Sequence, residues 1–333
     1  MKIGIVGYGR IGQIHYQNVS SLVGSHSVSI CDPKVSQFKK DLPSEVKLYS
    51  DYQSLISDFE PDAVYICSPT PSHSEIISHC CQNGIHIFCE KPVDLDIDEM
   101  FRLRDIINDA GILFHVGFNR RYDPDFIQLK EKFLLGDIGK LHQLQIVSRD
   151  PGLPSMEYIQ SSGGIFLDMS IHDFDMARHL VGYEVNEVYA LGDVMIDDSL
   201  RALGDIDTAT TILSFTNGVQ CTIQNSRKAT YGYDQRVEAF GENGLLRVKN
   251  NHENQIELWN EQSLHKSKPQ NFFLERYADS YKIETNAFLD HLKGQRSNYD
   301  LVQMDDAIMA TQIATSCKQS LDMKIAVQVP CEI

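Results

Sequence analysis

The pattern of apolar and polar positions changes character once along the chain, near Arg121. Over the first 118 residues, short apolar runs alternate with stretches whose apolar residues recur at helical spacing. Lys2–Val6, Ser27–Cys31, Ala63–Cys67, His86–Cys89 and Leu113–Gly117 have strand length and little polar content, as strands covered on both faces do. Helical periodicity fills residues 11–22, 34–41, 52–57, 73–83 and 95–110 between them. This alternation predicts an α/β doubly wound parallel sheet of Rossmann type over residues 1–120.

Beyond Arg121 the order of elements is different. Pro124–Leu135 reads as a helix with Phe126, Leu129, Phe133 and Leu134 as its apolar positions, and Leu141–Val147 alternates as a half-buried strand does. A Gly/Pro/Ser-rich stretch from Asp150 to Gly164 reads as a loop, and Phe166–Leu180 as a second helix. From about 185 to 260 successive strands are separated by turn signals, among them Thr216-Asn217-Gly218 and Glu242-Asn243-Gly244. Residues 121–333 are thus expected to form an α+β domain around an open, mostly antiparallel sheet. Helices at about 275–322 are expected to pack back near the first domain.

Bulk properties narrow the functions. With 333 residues the chain has room for two domains. Its formal charge of −16 argues against nucleic acid as a partner, because phosphate neutralisation needs clustered cations. There is no apolar run long enough for a membrane helix, and Met1–Gly7 reads as a first strand rather than a signal peptide. Cysteines at 31, 67, 80, 81, 89, 221, 317 and 331 form no CxxC pair, which predicts reduced, mostly buried thiols and a cytoplasmic setting. The 12 histidines show no metal-ligand spacing, so no metal is expected.

Gly7-Tyr8-Gly9-Arg10-Ile11-Gly12 is a G-x-G-x-x-G set between a predicted strand and a predicted helix, the context in which it binds a dinucleotide. Gly7 allows the tight turn, Gly9 the approach of a pyrophosphate and Gly12 close helix–strand packing, while the helix N-terminus offers free N–H groups. Gly7, Gly9, Arg10, Ile11 and Gly12 are therefore candidate cofactor contacts. Asp32 stands 20 residues after Gly12, where a carboxylate accepts from ribose hydroxyls and repels a 2′-phosphate; this favours NAD over NADP, although Lys34 is close. Ser68, Thr70 and His73 follow another strand end and are cofactor candidates; the competing reading is a plain turn with Ser72 capping the next helix.

Two segments carry groups suited to hydroxyl oxidation, which needs a proton acceptor and stabilisation of charge on oxygen. Glu90-Lys91-Pro92 follows a strand and places an ammonium at its end, unless Lys91 is an ordinary loop lysine. Asp168 and His172 are four apart on a predicted helix, so that a carboxylate lies beside an imidazole and raises its basicity, or else forms a plain helix-face pair. Asp173 and Asp175 read as solvated or capping residues.

Together the glycine set, Glu90-Lys91-Pro92, Gly117-Phe118-Asn119-Arg120-Arg121-Tyr122 and Gly163-Gly164…Asp168…His172 resemble the Gfo/Idh/MocA oxidoreductases, and Tyr231-Gly232-Tyr233-Asp234 points to members that act on inositols. The resemblance runs over nearly the whole chain. It implies an open-sheet domain that commonly mediates dimers or tetramers, and Lys91, Asp168 and His172 as the catalytic set. By it His172 takes the hydroxyl proton, Asp168 orients His172, and Lys91 contacts substrate oxygen and cofactor, so Glu90 and Lys91 join the cofactor candidates. Asn119, Arg120, Arg149, Asp150, Tyr231 and Tyr233 are substrate-pocket candidates, or else surface cations and core aromatics. The chain departs from the inositol pattern at Ser148-Arg149-Asp150, where those members have His-Arg-Asn, and at Asn119, where they are apolar. The implied activity is NAD-dependent oxidation of a cyclic polyol to its ketone. A sugar dehydrogenase, a keto-sugar reductase and a regulator that senses NAD without turnover are the alternatives, and the Lys91–Asp168–His172 set speaks against the last.

Overall fold

Ile3–Val6 (β1) is buried at all four positions, so its apolar residues meet cover on both faces. In the computed structural model, which describes residues 1–330, it lies at the centre of a six-stranded parallel sheet. The chain then runs through α1 (Arg10–Val23), β2 (Val28–Cys31), β3 (Lys47–Tyr49), α2 (Tyr52–Phe59), β4 (Ala63–Ile66), α3 (His73–Gln82), β5 (His86–Cys89), α4 (Ile97–Ala110) and β6 (Phe114–Val116). The strand order is β3-β2-β1-β4-β5-β6, so the direction of winding reverses between β1 and β4, the position at which doubly wound sheets bind ligands.

Contacts divide the chain into two compact units. The first is Met1–Tyr122 with Asp279–Ile308; the second is Asp123–Ala278 with the chain from Met309 onward. The core of the first unit is aromatic: Tyr65 and Phe88 stack at 4.4 Å, and Phe288 meets both edge-on. The second unit holds α5 (Pro124–Leu134), β7 (Leu141–Arg149), α6 (Met156–Ser161), α7 (Ile171–Val181), β8 (Val185–Asp193), β9 (Thr208–Phe215), β10 (Gln220–Ser226), β11 (Asp234–Gly241), β12 (Gly244–Val248), a small hairpin of β13 (Glu257–Trp259) and β14 (Leu264–Lys266), and α8 (Phe273–Arg276). α9 (Ala278–Leu292) belongs almost wholly to the first unit. α10 (Met304–Met323) passes from the first unit into the second, and β15 (Val327–Gln328) ends the described chain. The second sheet runs β12-β11-β7-β10-β9-β8-β15 and is antiparallel except between β7 and β10, as an open α+β sheet should be.

Four expectations need correction. Residues 34–41 are not a helix: only Val35–Gln37 makes a 3₁₀ turn, and the strand β3 follows. Val35, Phe38 and Leu42 repeat at helical spacing because they wrap the first core, between prolines at 33 and 43 that keep the segment short. The expected loop from Asp150 to Gly164 contains α6, started by Ser155, whose side chain accepts from Tyr158 N–H. The helix expected from Phe166 opens as a π turn, Phe166–Ser170, before α7 begins. Asp173 and Asp175 are buried rather than solvated, because α7 lies against the covered face of the second sheet, where Asn225 donates to Asp173.

The seven described cysteines are free thiols, and Cys331 lies outside the described residues. No described helix is long and apolar enough to cross a membrane.

Candidate active site

Because the strands of the first sheet are parallel, their carboxyl ends deliver chemistry to one edge. Gly7 follows β1, Asp32 follows β2, Cys67-Ser68 follow β4, Glu90-Lys91 follow β5, and Gly117 through Arg120 follow β6. Gly7 has φ +92°, and a side chain there would strike the Cys67–Ser68 peptide at 2.6 Å. At Gly12 a β-carbon would sit 2.0 Å from the Gly7 carbonyl oxygen, so only hydrogen lets α1 approach the turn. Gly9 is the opposite case: a β-carbon there meets nothing within 4 Å and would project into open space.

That space is suited to an anionic dinucleotide. The first turn of α1, with Arg10 and Ile11, has no acidic residue and no side-chain cap, so its N–H groups and partial positive charge are left to a ligand. The Asp32 carboxylate accepts from the N–H groups of Tyr8 (2.9 Å) and Lys34 (2.8 Å), which hold it at the end of β2. An anion fixed there disfavours a phosphorylated ribose. These residues fit NAD.

The Ser68–His73 segment divides. Ser68 and Thr70 remain at the edge, Ser68 sharing a 2.6 Å hydrogen bond with Ser72, whose hydroxyl also donates to Pro69 O and does not cap α3. His73 does not offer itself to a ligand. It is buried, with its ring nitrogens facing Ser68 O (2.8 Å) and Pro92 O (3.1 Å), and burial holds its pKa below the usual value. It braces the turn after β4 against the corner after β5. At that corner the Lys91–Pro92 peptide is cis, and Lys91 is half-buried. Glu90 packs beside Gly117 and is bonded to the fully buried His15 at 2.7 Å, an internal partner rather than an approach to solvent.

In the second unit Asp168 lies in the π turn and His172 in the first turn of α7, along one continuous helical run. His172 is half-buried, whereas Asp168 is only 9% exposed. The Asp168 carboxylate accepts from the Tyr158 hydroxyl at 2.7 Å and from Arg227 Nη1 at 3.0 Å. Burial first, then the charge on Asp168, pushes the Tyr158 phenol well above its ordinary value, so it stays protonated and donates. An anion held by a cation and a neutral donor is what an acid must be to orient a neighbouring imidazole.

The substrate candidates are divided between the two units. Asn119 and Arg120 are buried in the first unit, with Asn119 Nδ2 lacking a hydrogen-bond partner among the described residues. In the second unit strand register puts Ser148, Asn225 and Gln235 on the covered face with α7, and Arg149, Gln224 and Asp234 on the other. Arg149 there donates to Tyr231 (3.1 Å), Asp234 (3.3 Å) and Gln224 (3.0 Å), and Tyr231 and Asp234 line an open cavity of about 850 Å³. Hydrogen bonds from Arg236, Tyr231 and Asn250 outweigh the burial that would raise the pKa of Asp234 and keep it low. Tyr233 is a core aromatic, edge-on to Tyr277, and Ser148 is buried against Gln235 (2.7 Å), so the departure at 148 falls in the interior. Asp150 stays near the Asp168 group, with its charge reaching Tyr158.

Tyr158, Asp205 and Arg227 escaped the sequence reading. Tyr158 sits in a helix too short to show periodicity. Arg227 had a usable signal: it continues the inward phase Cys221, Ile223, Asn225, and an arginine in that phase marks a buried polar network.

Comparison with known proteins gives the family and the fold. Residues 1–118 match the model of the oxidoreductase family with an NAD-binding Rossmann fold, and residues 126–247 match the Gfo/Idh/MocA C-terminal domain. Myo-inositol 2-dehydrogenase of Thermotoga maritima is 42% identical over 332 residues, 99% of this chain and 98% of that one. The crystal structure of a probable dehydrogenase from Thermotoga maritima superposes with a TM-score of 0.93 at 42% identity, covering 98% of each chain. Scyllo-inositol dehydrogenase from Lactobacillus casei, solved with bound NAD(H) and scyllo-inositol, gives a TM-score of 0.89 at 28% identity over 98% of each chain. The chain is a member of the Gfo/Idh/MocA oxidoreductase family, with an NAD-binding Rossmann unit.

Proposed function

We propose that the protein oxidises a secondary hydroxyl of an inositol-type cyclic polyol to the ketone, using NAD, with Lys91, Asp168 and His172 as the groups that act on the hydroxyl. The observation that carries this reading is the buried Asp168 carboxylate, fixed by Tyr158 and Arg227 four residues ahead of His172. NAD, when bound, supplies the acceptor for the hydride that leaves the carbinol carbon. Gly7, Gly9, Gly12 and the first turn of α1 hold its pyrophosphate, Asp32 its ribose, and Ser68 and Thr70 line its path.

His172 accepts the hydroxyl proton, and Asp168 orients the ring and stabilises the imidazolium that results. The Lys91 ammonium faces the substrate oxygen and stabilises negative charge there. Asn119, Arg120 and Asp150 offer hydrogen bonds to the remaining hydroxyls. The second unit binds substrate and joins copies of the chain into a dimer or tetramer: the open face of its sheet exposes Leu191, Ile212, Phe240 and Leu245, apolar residues that a second copy would cover. The protein works in the cytoplasm, in keeping with its free thiols.

The test is a panel of myo-inositol, scyllo-inositol and common aldoses with NAD, following the absorbance of reduced cofactor in the original chain and in His172→Ala. The original is expected to turn over an inositol. The variant is expected to bind NAD normally and lose about 10²–10⁴-fold in kcat, the range of a general base. An unchanged kcat removes His172 from the mechanism. NAD binding with no turnover of any polyol or sugar replaces the enzyme with a nucleotide sensor.

A further inference from the structure

Arg227 is fully buried, and no bulkier described side chain is. Its backbone N–H is fixed to Asp207 O at 2.9 Å. Its guanidinium gives one hydrogen bond to Asp168 through Nη1 and faces Asp205 through Nη2 at 4.0 Å, while Nε and Nη2 make no hydrogen bond. Asp205 in turn accepts from Ile165 N–H at 3.0 Å, directly after the Gly163-Gly164 turn, where a β-carbon on Gly164 would press on that carboxylate at 2.9 Å. One buried cation therefore touches the side chain of Asp168 and, through Asp205, the entry of the helical run that carries it.

Stability alone is a poor reason for such an arginine. A buried guanidinium with unused donors is unfavourable, and apolar replacements of buried ion networks are often neutral or better. The charges around Asp168 supply a different reason. Tyr158 faces it from α6, His172 follows on α7, Asp205 stands behind Arg227, and the Asp150 charge reaches Tyr158 from the end of β7. Asp168 is buried, and Arg227 holds its carboxylate from 3.0 Å, so loss of that cation favours the protonated acid.

We propose that Arg227 is a positioning residue for hydroxyl oxidation, keeping Asp168 ionised and aimed for His172. This rests on the roles given above to Asp168 and His172. Tyr158 assists as the second donor, and Asp205 keeps the guanidinium in place.

The experiment measures kcat, KM and NAD affinity across pH for the full chain and for Arg227→Met, Arg227→Lys, Tyr158→Phe and Asp168→Asn, with the inositol that turns over best. Arg227→Met should leave NAD affinity unchanged and lower kcat about 10²-fold, as loss of alignment does. Its acid limb in kcat/KM should move up by about 1–3 pH units, because a carboxylate without its cation protonates more readily. Arg227→Lys should recover part of both effects. If Arg227→Met does not fold, Arg227→Lys and Tyr158→Phe should each show a smaller upward shift of the same limb. An unmoved acid limb in the variants that fold, with Asp168→Asn inactive, overturns the role of Arg227 alone, whether or not the rate has dropped. Full turnover by Asp168→Asn overturns the parent reading and this proposal together.

Discussion

Replacing Gly9 by alanine separates cofactor binding from folding more cleanly than any other change at the glycine turn. The backbone at Gly9 has φ −71° and ψ −165°, which alanine adopts freely, and the added methyl meets no protein atom within 4 Å. Stability should therefore stay within about 0.5 kcal/mol of the original. The methyl does occupy the space through which a pyrophosphate reaches the N–H groups of α1. Losing one charge-assisted hydrogen bond there costs about 1.5–3 kcal/mol, which weakens NAD by roughly 10–100-fold. Gly12→Ala is the contrasting variant: its methyl would lie 2.0 Å from Gly7 O, so α1 must move and the fold itself should suffer. Titration calorimetry with NAD and scanning calorimetry on the same samples read both quantities. The reasoning is refuted if Gly9→Ala binds NAD within about threefold of the original, or if it melts as early as Gly12→Ala.

Two further outcomes follow from single groups. Asp32→Asn loses the charge and keeps only one of the two oxygens, Oδ2 and Oδ1, that accept from Tyr8 and Lys34, so the kcat/KM preference for NAD over NADP should fall by about tenfold, near 1.4 kcal/mol; an unchanged ratio would mean that the selectivity lies elsewhere. His115 is buried against Glu284, and Val302 N–H donates to its Nδ1; burial, chiefly, brings its pKa down to about 3. Between the ordinary histidine value and about 3 the unfolded chain binds the extra proton and the folded chain does not, so stability should fall as pH falls through that window, and His115→Gln should flatten the slope of melting temperature against pH.

The first sheet and its glycine turn were legible because strands covered on both faces must be apolar throughout, as Ile3–Val6 and Ala63–Ile66 are. β3 was not, since three residues, Lys47–Tyr49, are too few to show a period. Of the candidate groups, those defined by backbone geometry were readable: Gly7, Gly12 and Asp32 owe their places to a turn and a strand end. Those defined by distant partners were not. Nothing near His73 announces that Ser68 and Pro92 will meet its ring, and nothing near Asp168 announces Tyr158 or Arg227. The split of Arg149 from Ser148 depends on which face of the second sheet receives α7, a tertiary fact that alternation alone leaves undecided.

The return of Asp279–Ile308 to the first unit has a consequence for how the chain is made. Phe288 and Leu301 complete the core begun by Tyr65 and Phe88, Glu284 is hydrogen-bonded to His115, and Val302 donates to His115 and accepts from Val116. A ribosome that has released only the nucleotide-binding third has therefore made a sheet whose cover is still unsynthesised. At about 5–20 residues per second that interval lasts on the order of ten seconds, during which Tyr65 and Phe88 face solvent or a chaperone. A premature stop anywhere before residue 279 should yield an aggregating fragment rather than a smaller working dinucleotide binder.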